Sequence, residues 1–229
     1  MSPLTIVFDL DGTLIDTAPD LVDTLNLLLS REGLPQVPYE TARKMIGGGA
    51  KAMLARGLAA EGAAVAPDRL DRLLKEFIAH YSAHIADRSR AFPGLADALD
   101  ALEAQGHRFA VCTNKLEGLS RQLLDALGLS QRFAAICGQD TFGIQKPNPE
   151  ILLRTVATAG GDIRRAIMVG DSITDIQTAR AAAIPVIAVD FGYSEEPIVD
   201  LAPDCTISRY EQLPAAVGSI EPKLGRKPP

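Results

Sequence analysis

Histidine and cysteine, common ligands of transition metals, are scarce in this 229-residue chain, with three of each. Cys112, Cys137 and Cys205 stand far apart without CxxC spacing, so no zinc site or disulfide framework is expected and all three read as small core residues. His80 and His84 share a helical spacing, but two imidazoles on an exposed helix are expected to be solvated rather than metallated. Basic charge is not in excess either. Lys and Arg total 23 against 29 Asp and Glu, a net charge of -6, so nucleic acid is not an expected partner. No apolar run could span a bilayer, and the N-terminal run Leu4 to Phe8 lacks the basic and small-residue flanks of a signal peptide, so cytoplasmic residence is the expectation. With 47% hydrophobic and 23% charged residues, the composition is that of an ordinary globular protein. Its chemistry is left to carboxylates.

What is present is a recurring rhythm. Leu4 to Phe8 is a short apolar run ending abruptly in Asp9, the pattern of a buried parallel strand reaching a site at its C-terminal edge. Phe109 to Cys112, Ala134 to Cys137, Ala166 to Val169 and Val186 to Val189 repeat it. Helical patterns lie between, one on Leu95, Leu99 and Leu102 closed by Gly106, another on Leu116, Leu119, Leu123 and Leu127 closed by Gly128. Such alternation predicts an α/β fold, a doubly wound parallel sheet with a Rossmann-like core. After the first strand the rhythm breaks, because about a hundred residues stand where one crossover helix would serve. Leu21, Leu25, Leu28 and Leu29 mark one amphipathic helix there, Ala50 to Leu58 another, and Leu70, Leu73, Leu74, Phe77, Ile78, Tyr81 and Ile85 a longer one. The expected division is an α/β core over 1–16 and 91–220, an inserted all-helical cap over 17–90, and a Pro-rich tail over 221–229 that frays.

Polar residues gather where the strands end. Asp9 and Asp11 flank Leu10 just beyond the first strand, where α/β sheets bind ligands. Two like charges so close call for a divalent cation, and oxygen-only ligands suit Mg2+. A calcium loop would need glycine at its sixth position, here Leu14, and a structural turn is the plainer alternative. Thr113 and Asn114 could donate to a phosphoryl oxygen, although Thr-Asn is also an ordinary helix cap. Lys146 precedes a helix expected to open at Pro147 and is either a phosphate-binding cation or a surface lysine. Gly170-Asp171-Ser172 closes another strand, with Asp171 placed to ligand a metal and Asp175 to support it one turn on. Helix capping is the alternative there. Each signal is weak alone, but together these residue types make a metal site, a nucleophile and a phosphate cradle.

In this order, Asp9-Leu10-Asp11-Gly12-Thr13-Leu14, Thr113-Asn114, Lys146-Pro147 and Gly170-Asp171 with Asp175 resemble the four motifs of the haloacid dehalogenase superfamily. The resemblance runs from residue 4 to about 215. It implies Asp9 as a nucleophile that becomes an aspartyl-phosphate, and Asp11 as general acid and base. It further implies Mg2+ on Asp9, the backbone carbonyl of Asp11 and Asp171, with Asp175 behind them, and Thr113, Asn114 and Lys146 on the phosphoryl oxygens. The insertion resembles that superfamily's helical cap, which closes over the site and selects substrates. Dehalogenases and phosphonoacetaldehyde hydrolases of the superfamily lack the equivalent of Asp11, and sugar phosphomutases carry a histidine shortly after the segment that reads Asp16-Thr17-Ala18 here. Phosphate monoester hydrolysis is the activity left.

Asp16-Thr17-Ala18-Pro19-Asp20, Ile46-Gly47-Gly48-Gly49-Ala50 and Phe191-Gly192-Tyr193 are similar to the bacterial phosphoglycolate phosphatases, with departures at Gly48, usually asparagine, and Asn148, often histidine. That similarity implies 2-phosphoglycolate as substrate, Gly48 and Gly49 in a loop at the substrate, and Arg43, Lys44, Lys51 and Arg56 as candidates to meet its carboxylate. The glycine run is no nucleotide P-loop, since Ala52 follows Lys51. A sugar phosphate, a nucleotide or pyrophosphate stays open as substrate. A phospho-acceptor signalling module would lack both the insertion and the Asp-x-Asp-Gly-Thr arrangement. The expected partner is a small phosphorylated metabolite, with neither nucleic acid nor membrane, bound by a monomer or homodimer.

Overall fold

The computed structural model describes residues 3–60, 62 and 66–224. Along the chain run β1 (Thr5–Phe8), β2 (Ile15–Asp16), α1 (Ala18–Arg31), α2 (Tyr39–Arg43), α3 (Ala50–Ala60), α4 (Pro67–Ala83), β3 (Arg90–Ala91), α5 (Leu95–Glu103), β4 (Arg108–Cys112), α6 (Glu117–Ala126), β5 (Phe133–Cys137), α7 (Pro149–Thr158), β6 (Ala166–Gly170), α8 (Ile173–Ala181), β7 (Val186–Val189), β8 (Cys205–Ile207) and α9 (Leu213–Ile220). Six strands form a sheet in the order β5-β4-β1-β6-β7-β8, every neighbouring pair parallel.

Strand alternation assigns the two faces. Ile6, Phe8, Phe109, Val111, Ile167 and Val169 join one core with the apolar sides of α5, α6 and α9. Val7, Ala110, Cys112 and Met168 join the other, against Ile151 and Leu152 of α7 and Ile176 of α8. Because both faces are covered, the strands carry continuous apolar runs, and each fully buried Leu, Ile or Phe stabilises the fold by about 1.5–3 kcal/mol. The architecture is the doubly wound α/β sheet with an inserted helical unit that the sequence leads one to expect. Cys112 and Cys137 lie opposite each other on β4 and β5 as free, buried thiols, and burial pushes Cys112 up to about 12.

In the insertion, Leu25 and Leu28 of α1, Leu54 and Leu58 of α3, and Leu73, Phe77 and Tyr81 of α4 share one buried cluster. Gly57 allows α3 to close on α1, since a Cβ there would stand 2.7 Å from Leu25 Cδ1. The insertion leaves and rejoins the core through a short two-stranded ribbon. Ile15 and Asp16 pair antiparallel with Ala91 and Arg90, which ties the outgoing and returning chain together. Asp20 locks the same junction, its carboxylate accepting from the backbone N–H groups of Arg88 and Ser89 and from the Ser89 hydroxyl. Two-residue strands have no periodicity to read in a sequence.

One expectation needs correction. The helix expected to open at Pro147 opens at Pro149, because Asn148 caps it, its Oδ1 accepting from the Glu150 N–H at 3.0 Å. At the start of the tail, Glu221–Lys223 form a 3-10 turn, and Glu221 accepts from Arg165 Nη2 at 2.9 Å. Residues 225–229 lie outside the described residues.

Candidate active site

Parallel strands deliver whatever follows them to one edge of the sheet. Here β1 delivers Asp9 and Asp11, β4 delivers Thr113, Asn114 and Lys115, β6 delivers Asp171, and Lys146 arrives on the connection from β5 to α7. Asp9 extends β1, its N–H donating to the Val169 carbonyl at 2.9 Å. One carboxylate oxygen from each of Asp9, Asp171 and Asp175 lies within 4.8 Å of the others.

Lys146 is buried in the middle of this anionic group, its Nζ 2.9 Å from Asp9 Oδ1 and 2.6 Å from Asp175 Oδ1. Burial opposes its charge, yet Asp175 and Asp9 outweigh that and hold the ammonium above its ordinary pKa. Asp175 also completes a capping box on α8, its Oδ2 accepting from the Ser172 N–H and hydroxyl while Ser172 Oγ accepts from its own N–H. The capping alternative is thus met at Ser172, the N-cap of α8, while Asp175 also pairs with Lys146. Asp171 accepts from the Thr13 hydroxyl at 2.9 Å on one oxygen and from the Tyr193 N–H at 2.7 Å on the other. The Tyr193 hydroxyl in turn donates to Asp16 Oδ1 and accepts from the N–H groups of Thr17 and Ala18, joining the base of the insertion to this carboxylate. Gly12, at φ +80°, has to be glycine, since a Cβ would run into the Asp171 carboxylate and stand 2.8 Å from Tyr193 Cδ2.

One lysine does not neutralise three carboxylates. Burial, with the charges of Asp175 and Asp9, pushes Asp171 up to about 8. Burial likewise raises Asp9 to about 6 against the pull of Lys146. Asp9 Oδ1 is buried and makes no hydrogen bond, its ammonium neighbour lying off the bonding geometry. Carboxylates that are crowded, underpaired and purely oxygen-donating suit a small divalent cation.

The other predicted residues divide. Thr113 lines the cavity and accepts from the Lys115 N–H at 3.2 Å. The Asn114 amide, on the cavity lining, is bonded to both the N–H and the carbonyl of the Lys146 peptide and so braces the lysine. Asp11 turns away from the clustered carboxylates, accepting from the Thr17 hydroxyl at 2.8 Å and from Lys115 Nζ at 2.9 Å. Lys115 was not singled out by its sequence, where a lysine after a strand reads as surface, and its position directly after Thr113-Asn114 is the signal that could have found it. It is buried, with its ammonium 4.4 Å from the centre of the Tyr81 ring on α4.

Core and insertion enclose a cavity of 380 Å³ over these groups, with Gly48, Gly49, Phe77 and Tyr81 on the insertion side. The glycine loop rests on the core, since a Cβ at Gly49 would lie 3.1 Å from the Asn114 carbonyl oxygen. Of the four cations expected to meet a carboxylate, Lys44, Lys51 and Arg56 line this cavity and Arg43 does not. Arg43 stacks on the Tyr193 ring and donates to the Gly192 carbonyl. Lys51 pairs with Asp71 at 2.7 Å, and Arg56 donates to the carbonyls of Met45 and Gly47.

A parallel sheet with an acidic cluster and a buried lysine at its C-terminal edge, covered by an inserted helical unit, describes a class of hydrolases. Residues 6–189 match the family of haloacid dehalogenase-like hydrolases, and the chain belongs to it. It is 49% identical over 213 residues to a Phosphoglycolate phosphatase of Mesorhizobium japonicum, covering 93% of this chain and 94% of that protein. Its identity to a Phosphoglycolate phosphatase of Caulobacter vibrioides is 47% over 212 residues, covering 93% and 90%. A crystal structure of a predicted phosphoglycolate phosphatase from Haemophilus somnus 129PT superposes with a TM-score of 0.86 at 27% identity, covering 93% of this chain and 97% of that one. The chain is thus an enzyme, on the phosphatase side of the family. No helix among the described residues is long and apolar enough to cross a membrane.

Proposed function

We propose that this enzyme hydrolyses 2-phosphoglycolate to glycolate and phosphate through an aspartyl-phosphate on Asp9. The observation that carries the reading is the pairing of two unlike carboxylates two residues apart: Asp9 faces Lys146 and the acidic cluster, while Asp11 faces Thr17 and Lys115. Such a division suits one nucleophile and one acid–base group. The relatives' names and their near-complete coverage support the substrate.

Asp9 attacks phosphorus, and Asp11 delivers a proton to the departing glycolate oxygen. The Thr113 hydroxyl and the Lys146 ammonium donate to the non-bridging oxygens, held in place by Asn114 and Asp175. Asp11, now ionised, takes a proton from the water that hydrolyses the aspartyl-phosphate, returning Asp9. Asp9, Asp171 and the backbone carbonyl of Asp11 would hold Mg2+, with Asp175 fixing Lys146 behind them. When bound, the cation supplies charge stabilisation to the phosphoryl group and relieves the crowded carboxylates. In this reading residues 17–90 act as a cap over a core of 1–16 and 91–220, and the Gly48–Gly49 loop keeps bulk water from the cavity.

The test is a substrate panel at equal magnesium, with 2-phosphoglycolate against sugar phosphates, nucleotides and pyrophosphate. The expected preference in kcat/KM exceeds about tenfold, or ~1.4 kcal/mol. Equal values across the panel would reject 2-phosphoglycolate as the substrate.

A further inference from the structure

We propose that Lys115 and Tyr81 form the pocket for the substrate's carboxylate, a specificity role for one core and one insertion residue. The inference rests on the reading above that the substrate is 2-phosphoglycolate. In that molecule the carboxylate carbon is bonded to the carbon bearing the ester oxygen. Whatever receives the carboxylate must therefore adjoin whatever protonates that oxygen, which is Asp11. The cation adjoining Asp11 is Lys115, whose Nζ lies 2.9 and 3.3 Å from its two carboxylate oxygens.

Lys115 is only 7% exposed, and a buried ammonium is costly unless its donors are met. An ammonium has three donors, and Asp11 with the Tyr81 ring face leaves room for a further acceptor. The Tyr81 hydroxyl is the second independent observation. It is buried on the cavity wall at 1% exposure, and although the Lys115 ammonium lies beside it, its own proton finds no acceptor among the described residues. A buried hydroxyl whose proton has no acceptor costs about 1–3 kcal/mol, a cost that an incoming acceptor removes. An ammonium and a neutral O–H side by side can meet the two oxygens of one carboxylate.

The cap cations are poorer receivers. Arg43 is outside the cavity wall, Arg56 serves two backbone carbonyls, and Lys51 is engaged by Asp71. Lys44 lines the cavity but is exposed, so water competes for its charge. Because Tyr81 belongs to α4 and Lys115 to the loop after β4, the pocket is complete only with insertion and core together.

The experiment measures kcat/KM for 2-phosphoglycolate and for ethyl phosphate, which has the same carbon count and no carboxylate, in wild type, Tyr81→Phe, Lys115→Met and Lys44→Met. Wild type is expected to prefer 2-phosphoglycolate. Tyr81→Phe keeps the ring and loses only the hydroxyl, and should cut the preference about tenfold, mainly through KM. Lys115→Met should cut it further. Since that change also disturbs Asp11 and the fold around it, the ratio between substrates is the quantity read, and Tyr81→Phe decides if Lys115→Met does not fold. Isothermal titration with glycolate should show the same order of weakened binding. A wild type without preference overturns the substrate reading itself. A wild type that does prefer 2-phosphoglycolate, with the preference kept in Tyr81→Phe and Lys115→Met or lost in Lys44→Met instead, overturns this assignment alone.

Discussion

The side-chain amide of Asn114 pairs with the peptide group of Lys146 at both ends, Nδ2 donating to the carbonyl at 3.1 Å and Oδ1 accepting from the N–H at 2.8 Å. The two residues are 32 positions apart, so this bridge sets where the Lys146 chain leaves the backbone, and hence where its ammonium meets Asp9 and Asp175. Asn114→Ala removes two buried hydrogen bonds of about 1 kcal/mol each. It should lower stability by about 1–3 kcal/mol in urea and reduce kcat by at least about tenfold, with KM changed less, as expected when a positioned charge is lost. Unchanged kcat would mean that Lys146 holds its place without Asn114.

The carboxylates of Asp9 and Asp11 should fail at different steps. Asp9→Asn should form no phosphoenzyme from any substrate. Asp11→Asn keeps the nucleophile, and p-nitrophenyl phosphate needs little protonation of its leaving group. Rapid mixing should then show a burst of up to one equivalent of nitrophenol before a much slower steady state, with mass spectrometry finding the phosphoryl group on Asp9. Linear turnover of Asp11→Asn at the wild-type rate would reverse the assignment.

Metal binding should strengthen with pH. Asp9 rises from an ordinary 3.8 to about 6 and Asp171 to about 8, both chiefly through burial, so below these values protons compete with a cation for the same oxygens. The folded, metal-free state binds more protons than the unfolded chain between about 4 and 8, so its stability falls as pH rises through that window. A cation offsets the loss. The rise in melting temperature on adding Mg2+ should be larger at pH 8 than at pH 6, and Ca2+ should inhibit, taking more ligands at longer distances. An equal rise at both pH values would show that these carboxylates do not hold the ion.

His107 supplies an acid-side dependence away from the site. Its Nδ1 accepts the Leu4 N–H at 3.2 Å, and burial lowers its pKa below the ordinary 6.5. The unfolded chain takes up this proton first, so the contribution is present above 6.5 and is lost as pH falls below it. In His107→Gln, which keeps an acceptor for Leu4, the urea midpoint should decline less steeply from pH 7 to pH 5 than in wild type. Parallel declines would exclude His107 as a source of acid sensitivity.

Much of this architecture was legible because its causes are local. Strands buried on both faces must be largely apolar, as Ile6–Phe8 and Val186–Val189 are, and helices covering one face must carry leucine at helical spacing, as α5 and α6 do. A parallel sheet then sends the residue after each strand to the same edge, so Asp9, Thr113 and Asp171 could be grouped before any coordinate was known. Pairings between distant residues were not legible. Asp11 and Lys115 are 104 positions apart, Tyr193 and Asp16 are 177 apart, and nothing in either neighbourhood names the other. Their contacts arise only once the two core faces bury and bring the loops within hydrogen-bond reach. The amino-acid order by itself thus determined the sheet, the insertion and the roster of acidic and basic groups. Tertiary packing alone decided which group faces which: Lys146 toward Asp9, Asn114 onto Lys146, and Lys115 between Asp11 and the ring of Tyr81.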